Sequence, residues 1–225
     1  MQTNFNIAVD GTAGSGKSSV MSLVAEKIGF KFIDTGLMYR AFTKWCLQNN
    51  VNFSKKDQII ELLKKLNSVD IDGSSIKINE NDYSQYINDY DVVENIKYIA
   101  TISEVREKMV FLQKQMVENG RNIMVGRDIT TVVLPKADLK IYFDCSPEAR
   151  AQRRMEQNKK NNLSGVDYNI LLNQIKARDE SDMNREVGAL KIAKDAWVID
   201  TSDLAFNEVV DKVLKHIHSI KQERG

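Results

Sequence analysis

The sequence predicts an α/β protein built around a parallel sheet. Strand-like and helix-like patterns alternate at both ends of the 225-residue chain, as they do where helices connect parallel strands. The 42% hydrophobic content is that of an ordinary globular protein, and the length allows a substantial core. With 32 basic and 31 acidic residues, the net charge is +1, so binding to a nucleic acid or a membrane would need a local basic patch.

Five short apolar runs bounded by turn residues are the candidate strands of this sheet. Buried parallel strands often look like this, because both of their faces are covered. The runs are 5–9, 30–33, 122–125, 139–143 and 197–199.

Helix signals lie between these runs. Ser146-Pro147-Glu148 supplies a capping serine, a proline at the first helical position and an acid in the first turn, which predicts a helix from Pro147 toward Asn158. Asp167 is expected to cap the next helix, whose apolar side carries Leu171, Leu172 and Ile175. The polar, turn-rich stretch 158–165 between them predicts a mobile flap.

The middle of the chain departs from this alternation and predicts a small accessory domain between the second and third strands. Its pattern is that of three helices and a hairpin with the turn Asp72-Gly73-Ser74-Ser75. The helices are expected over 54–66, 92–101 and 104–119, and the hairpin joins 69–71 to 76–78.

The two cysteines, Cys46 and Cys145, lie far apart and form no CxxC pair, so we expect buried thiols and neither a disulfide scaffold nor a zinc ribbon. No apolar run is long enough for a membrane helix, and the N-terminus lacks a secretory pattern. A cytoplasmic protein is expected.

A glycine-rich segment after the first strand fits the Gly-x4-Gly-Lys-Ser/Thr phosphate-loop pattern. Its glycines let backbone N–H groups surround a phosphate, and the following helix adds its positive N-terminal end. Lys17 should reach the β- and γ-phosphates of a nucleoside triphosphate, and the Ser18 hydroxyl should face Mg²⁺. The predicted nucleotide-binding residues are Gly11, Thr12, Ala13, Gly14, Ser15, Gly16, Lys17, Ser18 and Ser19.

Arginines cluster in two further places. Arg178, Asp182 and Arg185 have the i, i+4, i+7 spacing of one helix face, which fits either an exposed ion-pair ladder or a clamp for phosphate and sugar. Arg150, Arg153 and Arg154 form the second group, and without interleaved aromatics they make a poor nucleic-acid patch. The only histidines, His216 and His218, are expected to be solvated; a phosphate acceptor is already an anion and needs little general base.

Five segments of the chain match the pattern of one family, in the same order. They are Asp10-Gly11 with the phosphate loop, Asp34-Thr35-Gly36-Leu37-Met38-Tyr39-Arg40, Val105-Arg106, Gly126-Arg127-Asp128, and Arg178-Asp179-Glu180-Ser181-Asp182 through Arg185. With these segments the chain resembles bacterial cytidylate kinases, a family of nucleoside monophosphate kinases. The segments 34–40 and 126–128 are more specific than the phosphate loop, which shikimate and gluconate kinases share.

The resemblance implies a P-loop kinase fold with a five-stranded parallel sheet, an inserted monophosphate-binding domain and a short lid. The core domain would then cover 1–35 and 120–225, with the lid at about 155–167 and the insertion at 36–119. It also implies transfer of the γ-phosphoryl group of ATP, with Mg²⁺, to CMP or dCMP. A monomer without nucleic-acid or membrane partners is expected.

The same resemblance assigns roles to individual residues. A carboxylate beside an arginine and a hydroxyl can distinguish cytosine, which carries an exocyclic amine next to acceptor atoms. Arg40, Arg127 and Arg185 would hold the acceptor phosphate, Thr35, Arg106 and Asp128 would face cytosine, Arg178 and Asp182 would contact the sugar, and Tyr39 would complete the substrate site. Lys17 and Arg185 would be catalytic, together with Arg153 and Arg154, which would approach the donor phosphates as the lid closes.

Three positions depart from the family pattern. Thr130 stands where glycine is usual, Asn88 where arginine is frequent, and Lys97 where a serine commonly lies near the sugar. Lys97 leaves the choice between ribose and deoxyribose open. Two alternatives also stay open: another acceptor, such as UMP or a metabolite like shikimate, and a nucleotide-dependent RNA-binding module.

Overall fold

The five apolar runs form one parallel sheet, as predicted. The computed structural model describes residues 5–117, 120–160 and 167–223. Its strands are β1 (Asn6–Gly11), β2 (Lys31–Asp34), β3 (Val69–Asp72), β4 (Ser75–Ile78), β5 (Asn81–Asp82), β6 (Asn122–Gly126), β7 (Leu139–Asp144) and β8 (Trp197–Asp200). The parallel sheet has the order β2-β6-β1-β7-β8.

The α-helices include five that begin within two residues of a predicted start and two, over 35–48 and 206–223, for which no start was predicted. The helices are α1 (Lys17–Ile28), α2 (Thr35–Gln48), α3 (Lys56–Leu63), α4 (Tyr90–Ala100), α5 (Ser103–Gln115), α6 (Pro147–Lys160), α7 (Tyr168–Met183) and α8 (Phe206–Glu223). Pro147 begins α6 as expected. The Asp167 carboxylate caps α7 by accepting hydrogen bonds from the N–H groups of Asn169, at 2.8 Å, and Ile170, at 3.3 Å.

Helix α3 is shorter than predicted because turns close both of its ends. The Ser54 N–H donates to Asn52 Oδ1 at 2.9 Å, so this residue belongs to a turn and the helix begins at Lys56. After Leu63, the Leu66 N–H bonds back to the Leu63 carbonyl at 3.0 Å, which places the buried Leu66 in a tight turn.

The hairpin prediction is confirmed, and the sequence reasoning missed its third strand. Strands β3 and β4 pair antiparallel, and β5 adds to the edge of β4. This third strand has only two residues, Asn81 and Asp82, and both are exposed. No apolar alternation marks such a segment, so the sequence held no signal for it.

Alternating side chains on the central strands separate two hydrophobic clusters. Ala8, Ile33 and Met124 face the first cluster, which continues through α2, α3 and α5 to the small sheet. Ile7 and Val9 face the second cluster, where α1 and α8 cover the other side. Segment 36–119 therefore shares a core with the central sheet.

Some predictions concern residues outside the described ranges. Residues 158–160 of the predicted flap are the end of α6, whereas 161–165 lie outside the described residues, as do 118 and 119 of the third predicted helix of the insertion. Cys46 and Cys145 are buried and unpaired, as expected. None of the helices within the described ranges has the length and apolar character to cross a membrane.

Candidate active site

Three adjacent strands, β2, β6 and β1, have their carboxyl ends at one edge of the sheet, and the predicted site residues follow them. The phosphate loop follows β1, Thr35 follows β2, and Arg127 and Asp128 follow β6. Since parallel strands present their carboxyl ends at the same edge, these segments meet there. They line a cavity of about 360 Å³. All nine predicted substrate-binding residues line it: Thr35, Tyr39, Arg40, Arg106, Arg127, Asp128, Arg178, Asp182 and Arg185.

The phosphate loop forms one wall of this cavity. Gly14 and Gly16 have φ values of +79° and +85°, a left-handed conformation that glycine adopts without strain. The Lys17 ammonium group is buried and donates to the Thr12 carbonyl at 3.1 Å. Burial lowers the pKa of Lys17 well below its usual value, and nearby Arg127 adds to the effect. A bound polyphosphate would favour the charged lysine again.

The members of the predicted nucleotide-binding segment differ in their exposure to the cavity. Ala13, Gly14, Lys17 and Ser18 line it. The hydroxyl oxygens of Thr12 and Ser15 are buried and have no hydrogen-bond partner among the described residues. Buried hydroxyls without partners are rare, so their presence in this loop fits a site built for a ligand. Thr12 and Ser15 are not among the lining residues, and neither are Gly11, Gly16 and Ser19.

Asp10 holds the start of the short π-helix Ile129–Val133 that follows β6, a role that sequence reasoning missed. Its buried carboxylate accepts hydrogen bonds from the N–H groups of Ile129 and Thr130, both at 2.8 Å, and from the Thr130 hydroxyl at 2.6 Å. Burial raises the pKa of Asp10, while the hydrogen bonds from Thr130 and Ile129 oppose the rise. Thr130 therefore supports the turn beside Asp128. The one sequence signal for this role was the acidic Asp10 at the end of an otherwise apolar strand.

Arg106 and Asp128 form a buried ion pair at one end of the cavity. The Arg106 guanidinium lies 5.9 Å from the centre of the Tyr39 ring, and its Nε is buried without a partner among the described residues. Burial raises the pKa of Tyr39 to about 12, so the phenol stays neutral. The Thr35 hydroxyl donates to the Val125 carbonyl at 2.9 Å. A planar donor group and a carboxylate thus face the cavity together.

Asp182 forms ion pairs with two arginines. Its carboxylate accepts from Arg127 Nε at 2.8 Å and also pairs with Arg185. Burial alone would raise the pKa of Asp182, but the charges of Arg127 and Arg185 outweigh it and hold the pKa below its usual value. The expected single helix face is wrong for Arg185, because α7 ends at Met183 and the following loop carries this arginine to Asp182. Because the cluster lines a cavity, the clamp interpretation is favoured over an exposed ladder.

Arg40 also lines the cavity and is held there by two hydrogen bonds. Its Nη1 donates to the Ile87 carbonyl at 2.9 Å and to Asn88 Oδ1 at 3.0 Å. Asn88, which departs from the family pattern, therefore orients a lining arginine. Burial lowers the pKa of Arg40. A bound acceptor phosphate would stabilise the charged guanidinium and so oppose this lowering of its pKa, which fits the predicted phosphate contact.

The cavity lining also lacks Arg153, Arg154 and Lys97, three further residues singled out from the sequence. Arg153 bonds to Cys145 Sγ at 3.4 Å and to the carbonyls of Thr201, Ser202 and Leu204 on the loop after β8. Arg154 is exposed and donates to Gln157 at 3.2 Å. Lys97 is exposed, with its ammonium group 5.2 Å from the Tyr98 ring centre. The donor-side roles of Arg153 and Arg154 stay predictions.

Arg150, the third arginine of this group, faces the protein interior. It is buried, pairs with Asp179 on α7, and donates to the Ala13 carbonyl of the phosphate loop at 3.1 Å. It thereby joins α6, α7 and the loop. The sequence showed three arginines close together on one helix and did not show which of them faces inward.

Comparison with known proteins identifies the family. The cytidylate kinase family model matches residues 7–219. A cytidylate kinase of Mesoplasma florum is 45% identical over 221 residues, which is 98% of this chain and 99% of the relative. A cytidylate kinase of Bacillus subtilis is 41% identical over 220 residues, which is 96% of this chain and 98% of the relative.

Solved structures share the fold at low sequence identity. A gluconokinase from Sinorhizobium meliloti has a TM-score of 0.52 at 13% identity and covers 99% of this chain and 97% of its own. An uncharacterized protein from Eubacterium ventriosum has a TM-score of 0.55 at 15% identity, with 96% and 99% covered. These likenesses show the P-loop kinase fold alone; on the family model and the close relatives, the chain belongs to the cytidylate kinase family.

Proposed function

We propose that the protein transfers the γ-phosphoryl group of ATP to CMP or dCMP, giving ADP and CDP or dCDP. One observation carries the proposal: a single cavity contains the phosphate-loop residues Lys17 and Ser18 and the buried Arg106–Asp128 pair. Membership of the cytidylate kinase family supports the choice of acceptor.

The phosphate loop would hold the donor. Its backbone N–H groups and Lys17 would surround the β- and γ-phosphates of ATP, whose charge favours the protonated form of this buried lysine. When bound, Mg²⁺ supplies charge compensation and orients the phosphate oxygens. No group of three or more His, Cys, Asp and Glu side chains within the described ranges could hold a metal ion. Ser18 would therefore bind it together with nucleotide oxygens.

The arginines between the two ends would hold the acceptor phosphate. A phosphate monoester is largely dianionic at neutral pH, since its second pKa is about 6, so the nucleophile needs no general base. Arg40, Arg127 and Arg185 would align it with the donor and offset the charge that develops during transfer. Arg153 and Arg154 are proposed to approach the donor side, and exposed Arg154 is free to do so without breaking an ion pair.

The Arg106–Asp128 pair would identify the base. The exocyclic amine of cytosine can donate a hydrogen bond to a carboxylate, and the neighbouring acceptor atoms of the ring can accept from a guanidinium. Uracil has a carbonyl oxygen in place of that amine, which would face the Asp128 carboxylate. Because both charged groups are buried, such a mismatch would be strongly disfavoured.

The proposed monophosphate-binding insertion, 36–119, supplies Tyr39, Arg40 and Arg106, and its helix α4 adds the apolar Ile96 and Ala100 to the cavity wall. Arg178 and Asp182 would contact the sugar.

We also propose that the enzyme works as a cytoplasmic monomer without nucleic acid or a membrane. Light scattering with and without substrates checks the oligomeric state.

A coupled assay of ADP release across CMP, dCMP, UMP, AMP and shikimate tests the proposed function. CMP or dCMP should give the highest kcat/KM. A higher kcat/KM with any other acceptor would contradict the proposal, and turnover that requires RNA rather than a monophosphate would favour the RNA-dependent alternative.

A further inference from the structure

The loop after α7 lies directly against the Arg106–Asp128 pair. This loop, residues 184–190, begins after the helix ends at Met183 and is fixed at its far end by buried Leu190, whose N–H donates to the Asp182 carbonyl at 2.8 Å. Between these points Gly188 adopts a φ of +67°. Its backbone is therefore held against the end of the cavity that we assign to the base.

Gly188 has no room for a side chain. A Cβ atom placed on it would overlap the Arg106 guanidinium and lie 2.5 Å from Asp128 Oδ2. Real carbon atoms do not approach polar atoms so closely, so either the loop or the guanidinium would have to move. The loop is bonded to α7, whereas the guanidinium is the end of a flexible side chain. Displacement of Arg106 is the easier response.

Arg106 has little freedom to move without losing its orientation. It is 3% exposed, with Asp128 as its ion-pair partner and the Tyr39 ring nearby. Its buried Nε has no partner among the described residues, which leaves a donor for a ligand. A shift away from Gly188 would alter both the ion pair and the direction of this donor.

We propose that Gly188 is a positioning residue for recognition of the acceptor base. By lacking a side chain, it lets the backbone of the loop support the Arg106 guanidinium in the orientation that pairs with Asp128 and faces the base. The inference rests on the proposed function for the identity of that base. It adds a specificity requirement at Gly188, which would act on the base through Arg106.

The chain offers a matched control for Gly188→Ala. Gly73, in the turn between β3 and β4, has a similar φ of +59°, but a Cβ there would meet nothing within 4 Å. Alanine at either site introduces comparable backbone strain, and only at Gly188 does it also press on Arg106. The two variants therefore separate strain from displacement of the guanidinium.

The experiment measures steady-state constants for the wild type, Gly188→Ala and Gly73→Ala. In Gly188→Ala we expect the KM for CMP to rise about tenfold and the preference for CMP over UMP to fall, while the KM for ATP changes less than about twofold. Gly73→Ala should match the wild type in all three. Equal kinetics for the two glycine variants, or equal rises in the KM for CMP and ATP, would overturn the proposal.

A second variant keeps the test decisive if Gly188→Ala folds poorly. In an Arg106→Ala background the overlapping guanidinium is gone, and the Asp128 carboxylate, freed from its ion pair, can turn away from the new Cβ. Adding Gly188→Ala there should therefore change the KM for CMP less than about twofold. A further tenfold rise in that background would contradict action through Arg106.

The variants are compared with the wild type for the monophosphate that the wild type uses best. If the wild type prefers an acceptor other than CMP or dCMP, the proposed function is refuted. The comparison of Gly188→Ala with Gly73→Ala would still test the positioning role of Gly188.

Discussion

At the level of single residues, the cavity arginines differ in how far they are committed to protein partners. Arg127 and Arg185 share the Asp182 carboxylate, and Arg40 bonds to Ile87 and Asn88. Arg178 is exposed and donates no hydrogen bond to a described residue. The cavity thus combines arginines already oriented by the protein with one that is available to a ligand.

Arg185→Ala tests the acceptor-phosphate assignment. Its guanidinium is proposed to bind the acceptor and to offset transition-state charge, so kcat/KM for CMP should fall at least about a hundredfold, or about 2.7 kcal/mol. Steady-state kinetics measures this effect. Arg121→Ala, outside the cavity wall, is the control and should keep wild-type kinetics. Near-normal activity of Arg185→Ala would refute the assignment.

Asp182→Asn tests the electrostatic account of the arginine cluster. Because the folded-state pKa of Asp182 is below its ordinary value of 3.8, its stabilisation is present above that value and is lost as the pH falls through the lowered pKa. We expect the variant to lose about 2 kcal/mol of unfolding free energy at pH 7. The difference from the wild type should shrink as the pH approaches 3.

Urea unfolding over this pH range measures the effect, with Asp203→Asn, at an exposed aspartate, as the control. A difference between Asp182→Asn and the wild type that stays constant with pH would show that the carboxylate charge is not what stabilises the cluster.

At the level of elements, the sequence predicted the strands and helix starts well because their signals are local. Apolar runs marked the five parallel strands, and Ser146-Pro147 and Asp167 marked the starts of α6 and α7. The misses required tertiary information. The place of Arg185 depends on where α7 ends, and the inward side of α6 depends on packing against α7, so spacing alone could not distinguish Arg150 from Arg153.

Arg150→Ala tests the link between α6, α7 and the phosphate loop. It would leave Asp179 without its partner and remove the bond to the Ala13 carbonyl, so we expect a loss of about 3 kcal/mol in unfolding free energy. Because the loop is the affected part of the site, the KM for ATP should rise more than the KM for CMP.

The same two helices provide the control. Lys176 and Glu148 form a bridge between them at 3.0 Å, with both side chains about half exposed at 51% and 53%. Lys176→Ala should therefore change the stability by less than about 0.5 kcal/mol. Equal losses for Arg150→Ala and Lys176→Ala would contradict a specific role for the buried pair.

At the level of the whole molecule, the near balance of 32 basic and 31 acidic residues conceals an uneven distribution. Five arginines, contributed by α2, α5, α7 and the segments after β6 and α7, line one cavity. The resemblance of separate sequence segments to one family predicted these five together with Arg153 and Arg154, which are not among the lining residues. Composition alone could not predict this gathering, because the net charge does not show where in the fold the charged residues lie. A nearly neutral protein with a cationic cavity suits small phosphorylated ligands better than a long polyanion.

The ratio of kcat/KM for CMP to kcat/KM for UMP tests the central claim most directly. The two acceptors share phosphate and sugar, so the ratio isolates recognition of the base by Arg106 and Asp128. The account predicts a ratio of at least about ten in favour of CMP, the discrimination expected from one good bidentate contact. Equal values, or a preference for UMP, would contradict it.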